Sequence, residues 1–277
     1  MKILENKKEL ADLLDKIKAL GLKIALIPTM GSIHQGHLSL VERAKKENFF
    51  SVVSIYINPT QFNNLEDFKK YPQNKETDIN ILRKVGCDVL YLPSTNELYP
   101  LGIKRKKTVF HYRKILCDKF RSGHFDGVTT IVKTLFDHVQ PNTAYFGEKD
   151  FQQLKLIEKM IKSLNIKITI QACSAVRLKN GMSISSRYNK FSLKEKEIFN
   201  QIAINIRTCV KSLRKKIQSS YIIKLKEELF NKNIDKIDYI EIRDEDNLEL
   251  TNEKNKSRLF IAFYIGNIRI IDNFILY

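Results

Sequence analysis

Two histidines three residues apart, His34 and His37, lie in the run Pro28-Thr29-Met30-Gly31-Ser32-Ile33-His34-Gln35-Gly36-His37-Leu38-Ser39-Leu40, after an apolar stretch. Such a run suits a phosphate, because glycine lets backbone N–H groups come close and a following helix N-terminus adds positive potential. If both histidines are helical, the spacing of three puts the rings on one face, where both can donate to the same phosphate oxygens. A second run, Phe146-Gly147-Glu148-Lys149-Asp150-Phe151-Gln152-Gln153-Leu154, offers Lys149 as a point charge for phosphate. Gln153 there suits a hydroxyl, a carboxylate or a metal-bound water. A third, Val176-Arg177-Leu178-Lys179-Asn180-Gly181-Met182-Ser183-Ile184-Ser185-Ser186-Arg187, ends in two hydroxyls and an arginine, a set that forks onto polyphosphate oxygens. In Asn58-Pro59-Thr60-Gln61-Phe62, Gln61 leaves a strand end and can read a small polar substrate.

Arg121-Ser122-Gly123-His124-Phe125-Asp126-Gly127 suggests a mobile anion-binding loop, and Asp78 is a lone carboxylate on a predicted helix. Each feature also has a plain structural reading. The histidine run can be an ordinary strand-to-helix loop, and Glu148 and Asp150 can complement a helix macrodipole. The Ser-Ser-Arg segment can be a polar interdomain loop, Asn58-Pro59 a common turn, the Arg121 segment a solvated turn, and Asp78 a solvent-facing acid. The sequence contains no Walker A lysine loop, HExxH, GxSxG or zinc spacing, which excludes the commonest ATPase, hydrolase and zinc-enzyme readings.

The elements that must hold these residues alternate in the first part of the chain. Strands are predicted at Lys23 to Thr29, Phe50 to Asn58, Asp88 to Pro93, Thr143 to Gly147 and Lys167 to Cys173. Between them, Leu38 to Lys46, Asn74 to Val85, Val128 to Val139 and Asp150 to Leu164 carry helical periodicity. That alternation predicts an α/β, Rossmann-like doubly wound parallel sheet, with the histidine run at the crevice where such sheets take nucleotides. The last hundred residues differ. A long helix, Ser192 to Ile217, opens with a Ser-Leu-Lys-Glu capping box, and a second helix follows near Tyr221 to Phe230. Strands are predicted at Lys236 to Arg243, Arg258 to Tyr264 and Ile268 to Asn273, the last two joined by a hairpin at Gly266-Asn267. The expected domains are 1–175, nucleotide-binding, and 176–277, a smaller α+β unit covering the active site.

The chain has 277 residues, 43% of them hydrophobic, which is ample for a core. With 48 Lys and Arg against 31 Asp and Glu, the net charge is +17, yet no basic run alternates with aromatics as a strand-binding groove requires. The charge is read as a solvated basic surface that mildly favours anionic substrates, with no nucleic-acid or membrane partner expected. Cys87, Cys117, Cys173 and Cys209 have no metal or CxxC spacing and are read as reduced thiols of a cytoplasmic protein. No apolar leader or stretch of membrane-spanning length is seen.

Four blocks in order, Pro28 to Leu40, Asn58 to Phe62, Phe146 to Leu154 and Ser185-Ser186-Arg187, closely resemble the pantothenate synthetase family, the pantoate:β-alanine ligases. His34-Gln35-Gly36-His37 alone would indicate only the wider nucleotidylyltransferase superfamily. The resemblance extends from the first helix to Arg269-Ile270-Ile271-Asp272-Asn273, essentially the whole chain.

It implies a two-step reaction. Pantoate carboxylate attacks the α-phosphorus of ATP and releases pyrophosphate, then β-alanine attacks the pantoyl adenylate to give pantothenate and AMP. It also implies an ATP site of Met30, Gly31, Ser32, Ile33, His34, Gln35, Gly36 and His37, with Gly147, Glu148, Lys149, Asp150, Val176, Ile184, Ser185, Ser186 and Arg187. His37 is the implied proton donor, and His34, Lys149, Ser185, Ser186 and Arg187 are further catalytic donors. Pro28, Met30, Gln61 and Gln153 are implied at the pantoate site, with β-alanine near Gln61 and with Arg121 and His124 close by. Asp78 and Gln153 are implied at Mg²⁺, and the family implies a homodimer.

Two positions depart from the family pattern: Tyr188 stands where Asn is common, and Asn180 precedes Gly181 where Asp is common. Two other functions remain open on the residues alone. A related adenylate-forming ligase would use a different acid or amine, and a basic nucleic-acid-binding protein would retain an inactive nucleotide fold. Altering Gln61 and Gln153 tests the first, and a steep salt dependence of RNA binding tests the second.

Overall fold

The structure is a computed structural model that describes every residue except Asn64, Thr108, Asn233 and Asp235. In chain order the elements are β1 (Lys2–Leu4), α1 (Lys7–Ala19), β2 (Ile24–Thr29), α2 (Gln35–Lys46), β3 (Phe50–Ile55), α3 (Leu65–Lys69), α4 (Lys75–Lys84) and β4 (Val89–Tyr91). Next come α5 (Thr95–Leu98), α6 (Leu116–Phe120), α7 (His124–Val139), β5 (Thr143–Gly147), α8 (Phe151–Ser163) and β6 (Thr169–Cys173). The chain ends with α9 (Leu193–Lys215), α10 (Ser219–Phe230), β7 (Ile237–Asp244), β8 (Ser257–Ile265) and β9 (Ile268–Ile275).

Two compact units are distinguished. The larger comprises Met1–Arg113, Arg121–Glu148 and Gln153–Ser174; the smaller comprises Lys114–Phe120, Lys149–Gln152 and Ala175–Tyr277. Two short segments that precede the expected boundary at Val176 therefore group with the smaller unit.

The larger unit is built on a six-stranded sheet in the order β1-β4-β3-β2-β5-β6, with every pair parallel. From β2 the sheet runs outward through β3 and β4 on one side and through β5 and β6 on the other. The order therefore reverses between β2 and β5, the topological switch point at which α/β sheets bind ligands. Apolar runs explain the strands: Ile24, Ala25, Leu26 and Ile27 of β2 are fully buried, as a strand covered on both faces requires. One face packs Ala25, Ile27 and Val53 of the sheet against Leu40, Val41, Ala44 and Leu82 of α2 and α4.

Helix starts are set by side chains that satisfy otherwise orphaned N–H groups. Asn6 accepts from Lys8 and Glu9 N–H groups at α1, and Asn74 accepts from Thr77 N–H at 3.1 Å at α4. The strand expected over Phe50 to Asn58 ends at Ile55. The chain turns instead into a 3₁₀ segment over Pro59–Gln61, with Asn58 as its cap.

In the smaller unit, β7, β8 and β9 form an antiparallel sheet, with Gly266 at φ +53° in the β8–β9 turn. Phe199, Ile202, Ile206 and Leu213 of α9 pack with Leu225 and Leu229 of α10 against Leu259, Ile261 and Phe263. The expected capping box is present. Ser192 Oγ accepts from Glu195 N–H, while Glu195 accepts from Ser192 N–H at 2.8 Å. Tyr188 packs its ring 5.4 Å from that of Phe199, so its departure from the family pattern is absorbed by this core. All four cysteines are free thiols. Among the described residues, no helix is long and apolar enough to cross a membrane.

Candidate active site

The loop between β2 and α2 occupies the switch point. It is bent by Gly31 at φ +79° and Ser32 at φ +53°, the left-handed region that glycine tolerates best. Two anchors hold it there. Thr29 Oγ1 accepts from Gly31 N–H at 3.2 Å while donating to Ser54 O at 2.9 Å. Asp78, from the first turn of α4, accepts Ser32 N–H at 2.8 Å through Oδ2 and Ile33 N–H at 2.7 Å through Oδ1. A Cβ at Gly31 would lie 3.0 Å from Asp78 Oδ2, so the close approach needs glycine.

His34 is not helical, contrary to the same-face expectation for a helical pair. It is the N-cap of α2, with extended backbone at φ −140°, and His37 is the third helical residue. The two rings form a capping box of an unusual kind. His34 Nδ1 accepts from Gly36 N–H at 3.1 Å, and His37 Nδ1 accepts from His34 N–H at 3.4 Å. The rings stack with centroids 4.1 Å apart and planes 19° from parallel. An imidazole that accepts through Nδ1 carries its N–H on Nε2, so backbone capping fixes the tautomer of both rings. Each ring then carries its donor N–H on Nε2, at the N-terminus of α2. A Cβ at residue 36 would meet His34 Cε1 at 2.9 Å, which explains the glycine between the rings.

Asp78, implied beside Mg²⁺ by the resemblance, packs against the loop from α4. Its carboxylate is buried and turned into the loop's backbone amides, and burial raises its pKa while the Ile33 and Ser32 N–H groups oppose that rise. Among the described residues, no group of three His, Cys, Asp or Glu is assembled to hold a metal.

Gln61 is buried behind this loop, with its Nε2 2.6 Å from Met30 Sδ. Its backbone carbonyl accepts from His124 Nδ1 at 2.7 Å and from Arg121 Nη2 at 3.2 Å. His124 Nε2 lies 3.0 Å from Arg121 Nη1. Arg121 and His124, read as part of a mobile loop or solvated turn, thus brace the Gln61 turn from the start of α7. The sequence reading missed Asn58, Thr60 and Tyr99 as a buried polar cluster beside Gln61. Asn58 and Thr60 were signalled by a polar Asn-Pro-Thr-Gln run after an apolar stretch, and Tyr99 by nothing in its own segment.

Gly147 ends β5 in the larger unit, and Gln153 lies in the first turn of α8. Lys149 belongs to the smaller unit, where its carbonyl accepts from Asn273 Nδ2 at 2.9 Å and its Nζ stands 3.9 Å from Asp150 Oδ1. The Val176–Arg187 segment folds as a narrow turn. Ile184 N–H donates to Val176 O at 3.0 Å, and Asn180 Oδ1 accepts from Met182 N–H at 3.0 Å. Asn180 thereby makes the turn contact that an Asp side chain can also make. Ser185 caps the 3₁₀ segment Ser186–Lys190 by accepting from Arg187 N–H at 3.3 Å, which leaves its hydroxyl proton to donate elsewhere.

The turn is anchored by Asp272, whose importance the sequence did not show. Asp272 accepts from Ser183 N–H at 2.7 Å, Ser183 Oγ, Arg177 Nη1 at 3.2 Å and Asn273 N–H at 2.8 Å.

A parallel sheet with a glycine-bent, histidine-capped loop at its switch point defines a nucleotide-binding α/β protein of the nucleotidyl-transferring kind. The comparisons identify the family. The pantoate-beta-alanine ligase family model matches residues 2–275. A pantothenate synthetase of Sulfurihydrogenibium sp. (strain YO3AOP1) is 39% identical, with 99% of each chain covered. That of Aquifex aeolicus is 40% identical over 96% of this chain and 95% of its own. The solved pantoate-beta-alanine ligase from Francisella tularensis, complexed with beta-gamma ATP and beta-alanine, matches at TM-score 0.86 and 37% identity over 100% of this chain and 98% of its own. The pantothenate synthetase of Thermus thermophilus matches at TM-score 0.88 and 30% identity, with 100% of both chains covered. This chain belongs to the pantoate–β-alanine ligase family.

Proposed function

We propose that this enzyme condenses (R)-pantoate with β-alanine at the expense of ATP, giving pantothenate, AMP and pyrophosphate through a pantoyl adenylate. The observation that carries this reading is the β2–α2 loop, where two capped imidazoles present Nε2–H donors at the switch point of a family member's sheet. ATP and β-alanine as ligands are further supported by the Francisella tularensis complex.

In the first step two anions meet and negative charge builds on the phosphates, so positioning and preorganised donors do most of the work. The positive end of α2, with His34 and His37, receives the phosphates, and His37 donates to the departing pyrophosphate. Lys149, Ser185, Ser186 and Arg187 are proposed, from the family resemblance, as further phosphate donors. Met30 to His37, Gly147 to Asp150, Val176 and Ile184 to Arg187 together make up the proposed ATP-binding set.

Pantoate is assigned to Pro28, Met30, Gln61 and Gln153, and β-alanine to the Gln61 side, with Arg121 and His124 holding the Gln61 backbone. In the second step the amine must be neutral to attack, although a free amine is mostly protonated at pH 7; removal from water lowers its pKa.

Mg²⁺ is proposed to enter as part of the MgATP substrate. Asp78 is a residue implied beside that ion; each of its oxygens accepts one backbone N–H, and no step is assigned through it. Homodimer assembly and a cytoplasmic setting are proposed from the family resemblance.

The test is to measure pyrophosphate and AMP release from MgATP and pantoate, with and without β-alanine, and to look for pantothenate. Turnover that needs both small substrates supports the reading. Pyrophosphate exchange with pantoate alone and no β-alanine-dependent product overturns the amine assignment, and an inert mixture overturns the acid.

A further inference from the structure

The amide of Gln61 has two ends of opposite hydrogen-bonding character, and the buried cluster beside it decides which end faces outward. Asn58 Oδ1 accepts from three donors: Tyr99 OH at 2.7 Å, Thr60 Oγ1 at 2.9 Å and Thr60 N–H at 3.3 Å. A side-chain NH₂ group cannot take that position, so the orientation of the Asn58 amide is determined. Its Nδ2 then donates to Gly127 O at 3.1 Å and to Gln61 Oε1 at 3.2 Å. The Gly127 carbonyl can only accept, which enforces the same orientation from the other side. Because Asn58 Nδ2 can only donate, the Gln61 atom facing it must be the oxygen, and Nε2 is left toward Met30 of the phosphate loop.

The cluster is tightly enclosed. Asn58 is 1% exposed and Tyr99 7%, and a Cβ on residue 127 would lie 2.4 Å from Thr60 O. Burial pushes the Tyr99 phenol above its ordinary pKa, so it remains an O–H donor across the working pH range.

We propose that Tyr99 is a positioning residue for the acid substrate: by fixing Asn58, it holds Gln61 with Oε1 inward and the Nε2 amino group presented to an oxygen of that acid. The relay suits a carboxylate or hydroxyl oxygen, which accepts, and disfavours an ammonium group, which only donates. The inference rests on the reading that Gln61 meets pantoate.

The experiment is a kinetic cycle of wild type, Tyr99→Phe, Gln61→Ala and the double variant, measuring KM for pantoate and for ATP together with kcat in the pyrophosphate-release assay. Tyr99→Phe is expected to raise the pantoate KM about five- to tenfold, the scale of one lost hydrogen bond to a buried acceptor, while the ATP KM is unchanged. In the Gln61→Ala background the same change is expected to have no further effect on the pantoate KM, because the relay has lost its end point. An equal fold-change in both backgrounds, or parallel rises in both KM values, would show a merely structural role and overturn the inference. An unchanged pantoate KM in Tyr99→Phe, with a raised one in Gln61→Ala, overturns the relay and keeps Gln61 as a pantoate contact. An unchanged pantoate KM in Gln61→Ala overturns both.

Discussion

The loop after β2 and the turn leading to Ser185 are both proposed to meet phosphate, and they are built in opposite ways. The first is held mostly from within: His34 and His37 cap the start of α2 and a threonine holds the glycine two residues later, while Ser54 and Asp78 add contacts from farther along the chain. The second is held from outside by Asp272, 89 residues beyond Ser183. Local construction leaves a pattern that spacing reveals. Distant construction leaves only an ordinary acid in a strand.

Four changes would break or sharpen that contrast. The largest effect on stability is expected from Asp272→Ala. This change strips Ser183, Asn273 and the partly exposed Arg177 of a shared buried acceptor and should cost about 3 kcal/mol in chemical denaturation. A loss below about 1 kcal/mol, the scale of a surface ion pair, would mean the turn does not depend on its distant anchor. Next is His37→Ala, expected to slow adenylate formation about 10²-fold in pyrophosphate exchange, as loss of one preorganised donor does, while stability falls by only about 1 kcal/mol from the lost cap. A near wild-type rate would remove His37 from the chemistry.

Asp78→Asn keeps the size of the side chain but replaces one of two acceptors with a donor. ATP affinity is expected to fall about tenfold, within the range for leaving one buried N–H unmatched. Measured by nucleotide binding in the presence of a metal chelator, the same fold-loss should persist. A defect that vanishes without Mg²⁺ would assign Asp78 to the metal instead. The smallest effect is expected from Gly181→Ala. At φ +94°, with only Arg207 Cδ 3.8 Å from the added carbon, it should cost about 1 kcal/mol through backbone strain, with the pantoate KM unchanged. A clear rise in that KM would show that the turn's tip also serves the acid.

The same contrast explains what could be read from sequence. Alternating apolar runs and helical periodicity mark β2 to β6 and α2, α4, α7 and α8, because most of those elements bury apolar faces, the edge strand β6 being only partly covered. Three-residue β1 was not seen, since too few residues show a period and only its pairing with β4 makes it a strand. The helix α7 starts at His124, ahead of the expected Val128, because its first turn holds the polar His124 and the glycine at 127, which hide an apolar pattern. At the site, the histidines, Lys149, Gln61 and the Ser-Ser-Arg run stood out by residue type. Tyr99, Asn58 and Asp272 did not, because their importance lies in contacts between residues 41 and 89 positions apart, which only tertiary packing brings together.

The two short segments that belong to the smaller unit have a consequence for the order in which the molecule can form during synthesis. Cys117 Sγ lies 3.2 Å from Tyr239 OH, a partner 122 residues later in the chain. Gln152 bridges Cys117 N–H and Ile115 O within that same unit. At a ribosomal pace of about 5–20 residues per second, residue 117 is synthesised roughly 6–24 s before Tyr239. All six strands of the parallel sheet are complete by Cys173, so the larger sheet can assemble cotranslationally. The smaller unit must then recruit segments that have already left the ribosome within the chain of the larger one. Its own sheet, β7 to β9, is made only after the larger sheet is complete.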